Sequence, residues 1–390
     1  MQKRKYTYKL YPNAKQQEQL IECLRLHQQL YNAALQERID CYKKTGRSIS
    51  YNDQQSSLTQ IRSEHEEYEA IPCTSSRMTL RRLDKAFKSF FKRVKKGETP
   101  GFPRFKSLKR FSSFDLLDTT FIPNENWKHG KLFIRGIGHI KARGQARVAG
   151  KVKTSQVRLV QGHWELSLTV ECDPSREATA TKAVGIDWGV EHLLTLTHED
   201  GTTKTVSNSR YYKNTQAEML PLEQSIAGKK RLSNRWRAAC AKLSKAKAKV
   251  ARQRKDDQHK ISKEIAADYT LVATEKLKIK NMTGSAKGDS ENPGKNVKAK
   301  SGLNREILDT APAQLLGMIR YKVEETGGEY VEAPTRKLKP SQRCPSCWAI
   351  RKKKLSERQH SCDCGLSMGR DSASAWVMLK WALGLGQELA

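Results

Sequence analysis

Three acidic residues that lie far apart in the sequence are the side chains best suited to chemistry: Asp187 in AVGIDWGV, Glu275 in LVATEKLKIKNM and Asp371 in SMGRDSASAW. Asp187 and Glu275 close short runs rich in Val, Ile, Leu and Ala, so two strand ends can hold their carboxylates in fixed positions. Clustered carboxylates take hard cations, and Mg²⁺ suits them because it prefers oxygen ligands and keeps exchangeable waters. Two such ions about 4 Å apart cleave a phosphodiester, one activating the attacking water and the other stabilising the leaving oxygen. Gly185 and Gly189 leave the backbone around Asp187 uncrowded enough for a phosphate to approach. Each acid alone has a plainer reading: Asp187 as a turn residue, Glu275 neutralised by Lys276 and Lys278, and Asp371 as the cap of the helix beginning SASAWVMLKWAL.

A second constellation precedes Asp371. Cys344 and Cys347 form a CxxC turn, and Cys362 and Cys364 follow after the basic stretch RKKKLSER. Four thiolates so close in sequence fit one tetrahedral structural Zn²⁺ better than redox chemistry, which needs no second pair. The second pair is a tight CxC, and His360 is near enough to be an alternative fourth ligand to Cys362. The remaining cysteines, Cys23, Cys41, Cys73, Cys172 and Cys240, are scattered and read as ordinary thiols rather than a disulfide framework.

The bulk composition says what these groups act on. The 390 residues carry 73 Lys and Arg against 41 Asp and Glu, a formal net charge of +32 that repels itself unless a polyanion is bound. Nucleic acid is the expected partner. Mean hydropathy is −0.73 and no apolar run approaches the roughly 20 residues of a membrane helix, so no membrane is expected. The opening MQKRKYTYKLYPN lacks an apolar stretch behind its basic residues, which argues against a secretory signal and for the cytosol.

The chain length predicts several domains, and the periodicities suggest how they run. Residues 2–10 alternate as a strand, and from Ala14 to about Lys95 apolar residues recur at helical spacing, with an interruption near Thr45 to Tyr51. The last helix there sets Arg81, Arg82, Lys85 and Lys88 around an aromatic stripe, a candidate nucleic-acid face or a solvated surface over a core. Gly97 to Asp173 alternates like antiparallel strands of a small β-barrel or sandwich, which the first strand could complete, making the helical domain an insertion. From Lys182 three strands lead into a long helical stretch ending near Asp268, followed by the strand YTLVATEKL, a polar linker from Gly284 to Gly302, a helix from Asn304 to Glu325 and the strand GEYVEAP. Residues 229–263 hold fourteen Lys or Arg and only two acids, Asp256 and Asp257, so this helix needs a polyanion nearby. The linker reads as a mobile flap or a solvated loop.

Taken together, the three acids resemble the RuvC-like nuclease core of the RNase H-like fold, with an acid on the first strand, a glutamate on the fourth and an aspartate on the last helix. With the cysteine knuckle before the last acid, the opening YKLYPN, the GFPRFK stretch at Gly101 to Lys106, QHKIS and KPSQRCPSC, the whole chain resembles TnpB, a family of transposon-encoded RNA-guided nucleases related to compact type V CRISPR effectors. The resemblance implies a multidomain α+β protein. Its parts would be a wedge β-barrel (1–13 and 96–178), a helical recognition domain (14–95), a RuvC-like domain (179–340 and 369–390) and a zinc-binding insertion (341–368). It also implies two Mg²⁺ held by Asp187, Glu275 and Asp371, one structural Zn²⁺, a guide RNA bound by a monomer, and double-stranded DNA cut beside a short adjacent motif. Arg104, Lys106, Arg235, Arg237, Arg252 and Arg254 join the helical-domain cations as expected nucleic-acid contacts. Three departures stand out: Trp348 replaces the usual Gly after the first cysteine pair, the second pair is shortened, and Ala373 occupies the usual Asn position. The last allows an alternative, a weakly active or inactive RNA-guided DNA-binding regulator or transposition accessory protein.

Overall fold

The computed structural model describes residues 2–116, 121–173, 181–288, 291–354 and 356–385. The chain divides into two compact units, 1–174 and 175–390. Residues 174–178 of the expected wedge, positions 289–290 of the linker and 386–390 of the expected nuclease domain lie outside the described residues.

In the first unit β1 (Gln2–Tyr11) is followed by four helices, α1 (Ala14–Thr45), α2 (Tyr51–Glu64), α3 (Glu66–Ala70) and α4 (Cys73–Lys95). Asn13 starts α1 with a reciprocal capping box to Gln16, and Gly46 ends it at φ 68°, a conformation glycine adopts without strain. Six strands come next: β2 (Ser113–Leu116), β3 (Phe121–Pro123), β4 (Lys128–Ile134), β5 (Gly138–Gln145), β6 (Lys151–Val160) and β7 (His163–Cys172). All seven strands form one antiparallel sheet in the order β2-β6-β7-β1-β5-β4-β3. Thus β1 lies between β7, with Tyr6 opposite Leu168, and β5, with Leu10 opposite Ala142. One core joins sheet and helices, among them Tyr8, Leu20, Leu35, Leu83, Phe114, Leu132 and Leu166. His27 is buried in it, stacked on Phe114 at 5.2 Å and hydrogen-bonded to Ser75 and Thr79, both at 2.9 Å. Burial pushes its pKa down to about 3, so it serves as a neutral core side chain.

The second unit opens with β8 (Lys182–Trp188), β9 (His192–Thr197) and β10 (Thr203–Ser207), then α5 (Tyr211–Asn214), α6 (Gln216–Ala227) and the 35-residue α7 (Asn234–Asp268). It continues through β11 (Tyr269–Glu275), α8 (Ile279–Met282), α9 (Val297–Thr310), α10 (Pro312–Glu325), β12 (Glu329–Ala333), α11 (Thr335–Leu338), β13 (Gln359–Ser361), β14 (Ser367–Gly369) and α12 (Arg370–Ala382). The sheet order is β10-β9-β8-β11-β12, with β8, β11 and β12 parallel and β9 and β10 antiparallel. One core gathers Val184, Ile186, Val272, Ile265, Leu315 and Ile319, and another gathers Ala273, Ala333, Val377 and Met378. The sheet is therefore covered on both sides, as parallel strands require.

Two sequence expectations change here. The helix expected from Asn304 to Glu325 is two helices, broken where Ala311 takes φ 43° ahead of Pro312, which has no N–H to give and disfavours helical geometry in the residue before it. The linker is not a free flap along its whole length: α9 begins inside it, Lys300 Nζ donates to the Met282 carbonyl at 2.6 Å and Asn304 Nδ2 to that of Thr283 at 3.1 Å.

Candidate functional site

Alternation along β8 and β11 sorts their side chains between the two faces. Val184, Ile186 and Val272 enter the core formed with α7 and α10, leaving Gly185, Asp187, Ala273 and Glu275 on the face that α12 covers. Gly185 pairs with Ala273 and Ile186 with Thr274, so Asp187 and Glu275, the next residues, stand side by side at the strand ends. A Cβ on Gly185 would fall 1.9 Å from the carbonyl oxygen of Ala375. This glycine therefore admits α12, not a phosphate, which corrects the role expected for it. Gly189 likewise serves a tight turn, where a Cβ would lie 2.9 Å from the His192 carbonyl oxygen.

The start of α12 brings in the third acid. Asp371 occupies its first turn, with Arg370 Nε 3.5 Å from its carboxylate. Thr197 Oγ1 of β9 donates to the Ser372 carbonyl at 3.1 Å, and Ser374 Oγ donates to Asp187 Oδ1 at 3.4 Å. Burial, then the charge of Glu275, then that of Asp371 hold the Asp187 carboxyl well above the usual carboxylate range, against the opposing effects of Ser374 and Arg370. Burial also raises Glu275. Ser374 went unnoticed in the sequence, although it stands three residues after Asp371, a spacing that puts both on one helix face. Ala373 is fully packed, at 1% exposure.

Among the described residues, the group of His, Cys, Asp or Glu that closes tightly enough for a single ion is Cys344, Cys347, Cys362 and Cys364, all within 4.8 Å of one another. The carboxylates are more spread out. Cys344 and Cys364 sulfurs are 3.7 Å apart and those of Cys347 and Cys362 3.4 Å. Four ligands at about 2.3 Å from a tetrahedral Zn²⁺ would have sulfurs about 3.8 Å apart, so the donor set and its dimensions fit that ion. His360 is outside the group: it is buried, and its Nδ1 accepts from Lys353. Trp348 holds φ 62°, the left-handed region that favours glycine, while its carbonyl accepts from Arg343 Nη1 at 3.2 Å and its side chain packs against the core of Ala273, Ala333, Leu338, Val377 and Met378. The turn thus keeps its shape with a tryptophan in place of glycine. The hairpin β13–β14 leads directly into α12, and Lys380 Nζ donates back to the Pro345 carbonyl at 2.8 Å.

The basic candidates separate by environment. Arg81, Lys85, Lys88, Arg104, Arg235, Arg237 and Arg252 are exposed. Three others are engaged within the fold, contrary to expectation. Arg82 binds Asp115 at 2.7 Å and the Ser113 carbonyl at 2.8 Å. Lys106 lies 4.4 Å from the centre of the Tyr31 ring, with its pKa lowered by burial. Arg254 holds Asp309 at 3.3 Å.

The sequence matches the family described as "Probable transposase" (OrfB_IS605) over residues 167–286, the Cas12f1-like TNB domain over 313–378 and the OrfB_IS605 helix-turn-helix domain over 1–47. In these matches the chain is similar to the TnpB family. It is 29% identical over 337 residues to "Putative RNA-guided DNA endonuclease InsQ" of Escherichia coli (strain K12), covering 85% of this chain and 80% of that protein. It is 27% identical over 387 residues to "Putative RNA-guided DNA endonuclease" of Streptomyces pristinaespiralis, covering 96% and 88%. In fold it is similar to the mini-RNA-guided endonuclease CRISPR-Cas_phi3, with a TM-score of 0.55 at 8% identity over 100% of this chain and 93% of that one. It is thus a multidomain α+β protein with a four-cysteine cluster suited to zinc. No helix among the described residues is long and apolar enough to cross a membrane.

Proposed function

We propose that this protein is a TnpB-type RNA-guided DNA endonuclease that cuts double-stranded DNA, with Asp187, Glu275 and Asp371 as its catalytic acids. The observation that carries the reading is the juxtaposition of Asp187 and Glu275 on adjacent strands beneath the helix whose first turn carries Asp371. Numbered within the second unit, the strand order is 3-2-1-4-5 with acids on strands one and four, which supports an RNase H-like, RuvC-type core. The all-oxygen donor set, two of its members raised in pKa by burial, fits Mg²⁺. Bound there, a pair of Mg²⁺ ions supplies water activation and stabilisation of the leaving oxygen.

The protein's own part is placement. Gly185 lets α12 come close, Thr197 fixes the helix start, and Ser374 orients the Asp187 carboxylate. Cys344, Cys347, Cys362 and Cys364 hold Zn²⁺ and fix the hairpin from which Asp371 springs. The exposed cations Arg81, Lys85, Lys88, Arg104, Arg235, Arg237 and Arg252 hold guide RNA and DNA by their phosphates, while base pairing selects sequence. The first unit takes the wedge and helical recognition roles, and one protomer carries one RNA.

Incubating the protein and its co-purified RNA with a DNA library of randomised flanks and Mg²⁺ tests this. RNA-dependent cleavage beside one short motif, absent in Asp187→Ala, is expected. Intact duplex under all guide and flank combinations refutes it.

A further inference from the structure

At the C-terminal end of α4 and in the loop after it, aromatic rings come together on the surface. Phe90 and Phe91 lie 5.1 Å apart, and Phe102 packs edge-on against Phe87 at 5.6 Å and Phe90 at 5.3 Å. Phe87 reaches the core, but Phe91, Phe102 and Phe105 remain 49%, 48% and 52% exposed. Exposed apolar clusters of this kind mark binding sites. The charge around this one narrows the partner: residues 85–106 carry eight Lys or Arg and one acid, Glu98. A protein partner would want a core depleted of charge. Half-exposed rings interleaved with cations instead suit unpaired nucleobases, whose faces stack on the rings while the phosphates meet Lys and Arg.

We propose that Phe90, Phe91 and Phe102 form a stacking platform for an unpaired stretch of the guide RNA. The choice of RNA rests on the RNA-guided reading above. A surface this apolar must be covered throughout the protein's life to stay soluble, and the guide is the permanently bound polyanion, whereas target DNA is held only transiently.

Two measurements on the full-length protein decide the matter without Mg²⁺, so they are independent of cleavage. The first is binding of a single-stranded RNA carrying 2-aminopurine, compared with its duplex, by RNA-stripped protein. Parent protein should quench the fluorophore. The Phe91→Leu/Phe102→Leu variant, which keeps apolar volume and so the fold, should weaken single-strand binding about tenfold (about 1.4 kcal/mol), abolish quenching and leave duplex binding unchanged. Lys92→Gln should weaken both ligands. Single-strand affinity unchanged in the Leu variant, or equal loss for single strand and duplex, overturns the proposal. The second is ultraviolet crosslinking of the protein as isolated with its RNA, where peptides spanning 90–105 should carry ribonucleotide adducts. Adducts confined to added DNA also overturn it. Asp187→Ala, by contrast, should lose cleavage and keep both signals, so failure of the nuclease reading looks different.

Discussion

Gly185→Ala tests the geometry of the site more sharply than removal of an acid, because it leaves every functional group in place. The added Cβ falls 1.9 Å from the Ala375 carbonyl oxygen, and ordinary contact begins at 3.4 Å, so α12 must retreat by about 1.5 Å at that point. The neighbour is backbone in the middle of a helix, so no flexible side chain can swing aside. Overpacking of this kind costs about 1–3 kcal/mol, which for a unit of this size lowers the melting temperature by roughly 2–12 °C. The larger effect should be on chemistry. Asp371 and Ser374 ride on α12, and a misplacement of about 1 Å costs about a hundredfold in rate. Guide-dependent cleavage under single-turnover conditions should therefore fall about a hundredfold while RNA binding is retained. Unchanged melting and unchanged cleavage would refute the reasoning that the helix is seated on this glycine.

Other perturbations follow from the same structure. Burial and neighbouring acids raise the folded-state pKa of Asp187, so without Mg²⁺ this group supports folding below its unfolded pKa, and the support is lost as pH rises through the raised value. Asp187→Asn should thus melt higher than metal-free parent at alkaline pH, with the gap closing as pH falls to the ordinary carboxylate range; a gap independent of pH counts against it. Cys364→Ser should release zinc in a chromogenic chelator assay and reduce cleavage through Asp371, whereas His360→Ala should keep zinc bound; the reverse pattern would make His360 the ligand. Arg82→Ala leaves the partly buried Asp115 with Gln156 but without its cation, removes a donor to the Ser113 carbonyl, and should destabilise the first unit by about 1–3 kcal/mol. Arg81→Ala should leave melting unchanged and reduce the salt dependence of RNA binding, and equal melting of the two variants would remove the distinction.

The acids were legible because each sits where an apolar run stops, and the sequence retains that signal whatever surrounds it. The cysteines were legible because sequence spacing limits spatial spacing. What stayed hidden depends on partners distant in sequence. Gly185 looked like room for a ligand until Ala375, 190 residues later, filled the space above it. Arg82, Lys106 and Arg254 looked like their exposed neighbours because a charge run does not say which of its members meets Asp115, Tyr31 or Asp309. The break at Ala311 and Pro312 was visible in the residues themselves, but the apolar periodicity continues across it and masked the stop.

The place of β1 bears on how the protein is made. β1 is the central strand of its sheet, and its partners lie far downstream, at residues 141–143 and 165–172. On the ribosome, residues 9–11 must wait unpaired until about 130 further residues have emerged and the rest of β1 until about 160 have, while α1 to α4 can already coil and associate locally. Translation speed through residues 96–172 thus sets how long a bare strand is open to aggregation. Trimming past Tyr11 would not merely shorten the chain: it would divide the sheet at its centre and create two new edges.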